Sequence, residues 1–183
     1  MSIRITAPFD REALARLRAG DSVLLSGTVL TGRDAAHKRL CALLDAGQPL
    51  PVSLRDQAIY YVGPCPPLPG DVIGSCGPTT SGRMDAYAPR LLGLGLAAMI
   101  GKGFRKPAVV ESIQENGAVY FAATGGAGAL IARCVKGARV LAFEDLGTEA
   151  IRELTVEDLP LIVAVDSQGN DLYAQGPACY ARP

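Results

Sequence analysis

Apolar positions along the chain recur with two different spacings. Residues 34–46, DAAHKRLCALLDA, set Ala36, Leu40, Leu43 and Leu44 on one helical face and stop at Gly47, which predicts a helix. Residues 10–18, DREALARLR, offer Asp10 as an N-cap and end before Gly20, which predicts a shorter one. The Val- and Leu-rich SVLLSGTVL (22–30) predicts a strand. VIGSC (72–76), LAAMI (96–100), AVYFAAT (118–124), ARVLAF (138–143) and LIVAV (161–165) read as buried strands, and IYYV (59–62) as a short one. Helices are expected between them, from about Met84 to Leu92 and over 107–115, 127–135 and 148–153. Such alternation favours a layered α/β domain, taken as one unit over residues 1–183. Pro49, Pro51, Pro64, Pro66, Pro67 and Pro69 exclude a continuous helix or central strand over 47–71, which reads as a loop crossing that domain.

Composition narrows the class. With 183 residues, the chain buries roughly 70% of its unfolded surface on folding, so no disulfide or metal staple is required. Hydrophobic residues at 49% and charged residues at 20% exclude general disorder. Lys plus Arg and Asp plus Glu number 18 each, which argues against nucleic-acid binding by phosphate neutralisation and makes any anion recognition local. The start MSIRITAPFDRE lacks the pattern of a secretory signal, and the apolar stretch from Leu91 to Ile100 is broken by Gly93 and Gly95. A soluble cytoplasmic protein without a membrane partner is expected. Cys41, Cys65, Cys76, Cys134 and Cys179 show no metal-site spacing and read as reduced thiols, Cys41 and Cys134 as small core residues.

Four segments could carry chemistry. GPTTSGRMD (77–85) combines a Gly-Pro turn, Thr79, Thr80 and Ser81, then Arg83 and Asp85 opening a helix; it suits a carboxylate or phosphate, and equally a capped helix start. TGRDAAHKR (31–39) sets Arg33 at a helix start and Asp34 beside His37, whose plainer reading is a solvent-facing histidine behind a capping Asp. GKGFRKP (101–107) flanks Lys102 with glycines directly after a strand, where ligand-binding loops of α/β sheets lie. TGGAGALIA (124–132), with Glu144 about 20 residues on, invites a dinucleotide reading, though close helix–strand packing explains its glycines as well. A small dicarboxylate would need paired cations such as Arg33, Arg83 and Lys102, yet the chain offers no strong base and no cluster-binding cysteines.

GPTTSGRMD, the upstream LSGTVLTGRDAAHKRL, the downstream MIGKG, ATGGAGALIA and LPLIVAVDSQGNDLY together resemble the C-terminal domain, or separate beta subunit, of class I iron–sulfur fumarases and L-tartrate dehydratases. The resemblance runs in order from about Gly20 to Tyr173. It implies a hydro-lyase interconverting malate and fumarate. The reaction uses a four-iron four-sulfur cluster held by an alpha subunit, and this chain holds no cofactor or metal. On the matching positions it implies Thr79 as the base, activated by groups of the alpha partner, and Arg33, Thr80, Arg83 and Lys102 as carboxylate ligands. It implies a hetero-oligomer, with a homodimer of the isolated chain as the alternative, and a single layered α/β domain of the swivelling β/β/α type, a mixed sheet with flanking helices. SGRMD is nearer the fumarase form than the tartrate form, while Phe104 replaces the usual residue after Lys-Gly and leaves the substrate open. A reading of another class is a stand-alone anion- or dinucleotide-binding module.

Overall fold

The computed structural model describes residues 2–181. In chain order it comprises β1 (Ile3–Ala7), α1 (Arg11–Arg16), β2 (Ser22–Thr31), α2 (Asp34–Asp45), β3 (Ala58–Tyr60), α3 (Ala88–Leu92), β4 (Ala98–Gly101), α4 (Pro107–Glu115), β5 (Val119–Ala122), α5 (Gly128–Cys134), β6 (Val135–Ala142), β7 (Ile151–Val165) and α6 (Leu172–Tyr180). Local chemistry accounts for several boundaries. The Asp10 carboxylate accepts from the Glu12 amide at the start of α1, and α4 opens on Pro107, whose missing N–H would be unpaired there anyway.

The strands form one mixed sheet in the order β1-β2-β3-β4-β5-β7-β6. β1 through β5 pair in parallel, whereas β7 runs antiparallel to β2, β5 and β6. The extra β2–β7 pairing closes β2, β3, β4, β5 and β7 into a five-strand ring. Period-2 alternation sorts side chains onto two faces. Val23, Leu25, Tyr60, Ile100, Phe121, Leu154 and Val163 belong to one core, and Ile59, Tyr61, Met99 and Tyr120 face a second, shared with Ala36 and Leu40 of α2, Leu91 of α3 and Ile113 of α4.

Three expected elements differ. Residues 148–153 are not helical: a 3-10 turn ends at Glu149, and Ile151 starts the 15-residue β7, because β6 and β2 pair with it on both sides and override local preference. VIGSC forms no strand; its backbone bonds to the preceding loop, the Gly74 amide donating to the Cys65 carbonyl and the Cys65 amide to that of Ser75. The helix expected from Met84 to Leu92 splits into a 3-10 turn, Ser81–Met84, and α3, since Pro89 lacks an N–H and fits only the first turn of a helix. Cys41 and Cys134 are half-buried rather than core residues, and Cys76 is the buried cysteine. Among the described residues, no helix is long and apolar enough to cross a membrane.

Candidate active site

β2 through β5 are parallel, so their C-terminal ends share one edge, the side on which α/β sheets bind ligands. Backbone hydrogen bonds gather the loops there. The Gly32 amide donates to the Tyr60 carbonyl (3.1 Å), that of Thr79 to Tyr61 (2.7 Å), that of Ser81 to Lys102 (2.9 Å) and that of Lys102 to Thr79 (3.3 Å). Such close approach requires glycine at 101, where a Cβ would stand 2.0 Å from the buried Ser81 Oγ; Gly63 abuts Arg33, and a Cβ there would stand 2.8 Å from Nη1.

Thr79, Thr80 and Lys102 form one group. Thr79 is half-buried and Thr80 exposed. Lys102 lies against the glycine-rich loop after β5, where a Cβ on Gly125 would be 3.7 Å from its Nζ. It makes no ion pair among the described residues. Polar side chains secure this group from below. The Tyr120 hydroxyl donates to the Gly103 carbonyl and accepts from Ser81 Oγ, both at 2.8 Å, while the Tyr173 hydroxyl accepts from the Gly103 amide at 3.1 Å. Arg105 Nε donates to Asp85 Oδ1 at 2.7 Å, and the Lys106 amide donates to Oδ2 at 2.9 Å. The Arg105 guanidinium sits over the Tyr61 and Tyr120 rings, 5.4 and 4.9 Å from their centroids. Burial pushes both tyrosine hydroxyls up, which keeps them neutral and able to donate.

Arg33 and Arg83 form a second group around Asp34. Arg83 Nε donates to Asp34 Oδ1 at 2.9 Å, and its Nη2 lies 2.8 Å from Oδ2. Arg33 Nη2 lies 3.5 Å from Glu149 Oε1, whose other oxygen accepts from the Ala35 amide at 2.9 Å and so caps α2. The segment 61–63 joins the two groups, since Tyr61 holds Thr79 and Gly63 abuts Arg33.

His37 is not solvent-facing. It is 1% exposed, packed edge-on against Tyr61, because its position on α2 faces the second core. Nδ1–H donates to the Arg33 carbonyl at 2.8 Å, whereas Nε2 is buried without a partner among the described residues. Burial drives its pKa down to about 4, so the ring stays neutral. Sequence reasoning missed Asp34 and Glu149 as partners of the two arginines, and Arg105, Tyr61 and Tyr120 as the support of the threonine loop. Asp85 ends one quoted motif and Arg105 lies within another, but nothing in linear spacing joins positions 20 apart in the chain.

Two alternatives meet the geometry poorly. A dinucleotide unit needs parallel strands around the 124–132 segment, but β6 pairs only with β7, antiparallel, and exposed Glu144 starts a 3-10 turn beyond it. The donor set does not fit an iron–sulfur cluster either. Among the described residues no three His, Cys, Asp or Glu side chains are grouped to hold a metal. Burial pushes the Cys76 thiol up to about 11, away from the thiolate form that ligates metals.

Comparison with known proteins bears on this edge. A family model described as "Fumarase C-terminus" matches residues 1–176. The chain is 36% identical over 179 residues to "Fumarate hydratase 2" of Leishmania major, covering 96% of this chain and 32% of that one. It is 39% identical over 170 residues to "Fumarate hydratase class I, anaerobic" of Escherichia coli K12, covering 90% and 31%. It thus spans about a third of these relatives' length. A "Putative L(+)-tartrate dehydratase subunit beta" of Methanocaldococcus jannaschii is 38% identical over 171 residues, with 90% of this chain and 88% of that one covered.

Proposed function

The chain belongs to the fumarase C-terminal family, and on that premise we propose that it is the beta subunit of a two-subunit class I hydro-lyase, a fumarate hydratase interconverting malate with fumarate and water. The fold reading attached to it is the family's swivelling β/β/α arrangement. Support for a separate alpha subunit comes from the near full-length match to a beta subunit, set against one-third coverage of the single-chain fumarate hydratases. The four-iron four-sulfur cluster then belongs to the alpha subunit, and no step derived from this chain runs through it. Cytoplasmic location accords with the proposal.

The observation that carries the reading is the pairing of the 79–81 and 102 segments, which sets two hydroxyls beside a lysine free of ion pairs among the described residues. Lys102, Thr80, Arg83 and Arg33 bind the two carboxylates of the substrate. Thr79 takes the proton from the substrate carbon. A free hydroxyl is a weak base, so a basic group of the alpha subunit must take up the hydroxyl proton as the Thr79 oxygen captures the one leaving carbon. Exposed Thr80 and Arg83 leave this edge open to water, and covering it by the alpha subunit strengthens every charge interaction inside.

Asp34 and Glu149 leave the arginines able to act. A guanidinium carries five N–H donors, and Asp34 engages only Nε and Nη2 of Arg83, so the Nη1 edge can face a substrate carboxylate. Tartrate is the second substrate reading, favoured by the M. jannaschii relative. Hydration assays of the reconstituted alpha–beta complex on fumarate, beside dehydration assays on tartrate, test both. Turnover of malate and fumarate is expected, and turnover of tartrate alone would reverse the order.

A further inference from the structure

The geometry points to the buried Asp85–Arg105 pair as a positioning device that fixes Thr79 relative to Lys102, an inference that rests on the proposed dicarboxylate site. Both side chains are buried, at 1% and 0% exposure. Such a pair is a poor source of stability, because desolvating two charges offsets their attraction, and apolar residues of similar volume often serve as well. What the pair does supply is direction. Asp85 ends the threonine loop and Arg105 follows the lysine loop, and their 2.7 Å bond ties one to the other. Asp85 Oδ2 also fixes the Lys106 amide at 2.9 Å.

Arg105 extends this control to both loops through the rings it covers. Tyr61 supplies the carbonyl that holds the Thr79 amide, and Tyr120 supplies the hydroxyl shared by Ser81 and Gly103, which flank the threonines and follow Lys102. Shifting the guanidinium therefore displaces the supports of both loops, and with them the backbone-linked Thr79 and Lys102. Misplacement of a reacting group by about 1 Å costs on the order of a hundredfold in rate.

The test uses the reconstituted alpha–beta complex carrying D85L and R105M together, which removes both charges at once and leaves neither unpaired. A melting temperature within a few degrees of the parent is expected, with kcat lowered about a hundredfold and KM changed less than tenfold. A folded double variant with kcat within threefold of the parent overturns the inference. Should the double variant not fold, Tyr120→Phe decides instead. It removes only the hydroxyl between Ser81 and Gly103, and a kcat loss of about tenfold is expected with a melting temperature lowered by a few degrees, because the buried partners are left unpaired; unchanged kcat overturns the inference. Thr79→Ala and Lys102→Met, assayed alongside, separate the two levels. If both retain full turnover, the proposed function fails. If both lose it while D85L/R105M does not, only the positioning role falls.

Discussion

Thr79 and Lys102 hang on side chains sealed from water, whereas Arg33 and Arg83 are held by carboxylates that water reaches. Asp85 and Arg105 are essentially unexposed, but Arg83 and Asp34 retain 51% and 33% of their side-chain exposure. A sealed support cannot trade partners without opening the core, so it suits groups whose placement must not vary during proton transfer. Arg83 and Asp34 sit where water screens them and exchange at little cost. Such a pair suits a group that must turn from an internal carboxylate to a substrate carboxylate. The difference assigns chemistry to the threonine–lysine half of the edge and adaptable binding to the arginine half.

The largest expected effect falls on the sealed half. Lys102→Met should weaken dicarboxylate binding by about 2–5 kcal/mol, the scale for losing one member of a desolvated charged pair. Arg83→Met should cost less, because its guanidinium already shares Asp34. Inhibitor constants of a non-reacting dicarboxylate measure both, and an equal or reversed order would break the contrast.

A pH experiment probes the buried His37 beneath the arginines. His37 has a folded pKa near 4 against 6.5 unfolded. Above pH 6.5 both states are neutral and the group contributes no pH dependence. As pH falls from 6.5 towards 4 the unfolded chain takes up the proton and the native state does not, so stability is lost, by about 3 kcal/mol at the low end. His37→Gln should flatten that part of the curve in urea titrations. Parallel curves for the two proteins would contradict the assignment.

Gly101→Ala should destabilise the chain by about 1–3 kcal/mol, since the new methyl meets Ser81 Oγ and the sealed half cannot yield. Thermal unfolding measures it, and an unchanged midpoint would show the threonine loop to be looser than described. The smallest effect belongs to Asp34→Asn. Half-exposed pairs contribute at most about 1 kcal/mol, so substrate affinity should fall only a few fold as Arg83 loses its orientation. A fall as large as that of Lys102→Met would erase the distinction between the halves.

How far the sequence revealed this follows the same physics. α1, α2 and α4 were legible because an N-cap Asp, a closing Gly and an opening Pro act within one turn of the helix they bound. β7 was only partly legible, since its first residues are extended by pairing with strands far away in the chain. Thr79, Thr80, Arg83, Lys102 and Arg33 stood out as polar residues in glycine-bearing loops after strands. Their partners did not, because the Arg83–Asp34 contact joins positions 49 apart and the Arg33–Glu149 contact spans most of the chain. His37 lies three positions before Leu40 and seven before Leu44, so helix spacing does put it on the buried face of α2, where Tyr61 and Tyr87 lie against it.

The most direct trial of the account is solvent-deuterium exchange at the carbon-bound proton of malate, catalysed by the alpha–beta complex with Thr79→Ala in this chain. The account predicts a complex that assembles at parental stoichiometry and has lost both exchange and turnover by at least a thousandfold. Exchange at the parental rate would contradict it and move the base to another residue.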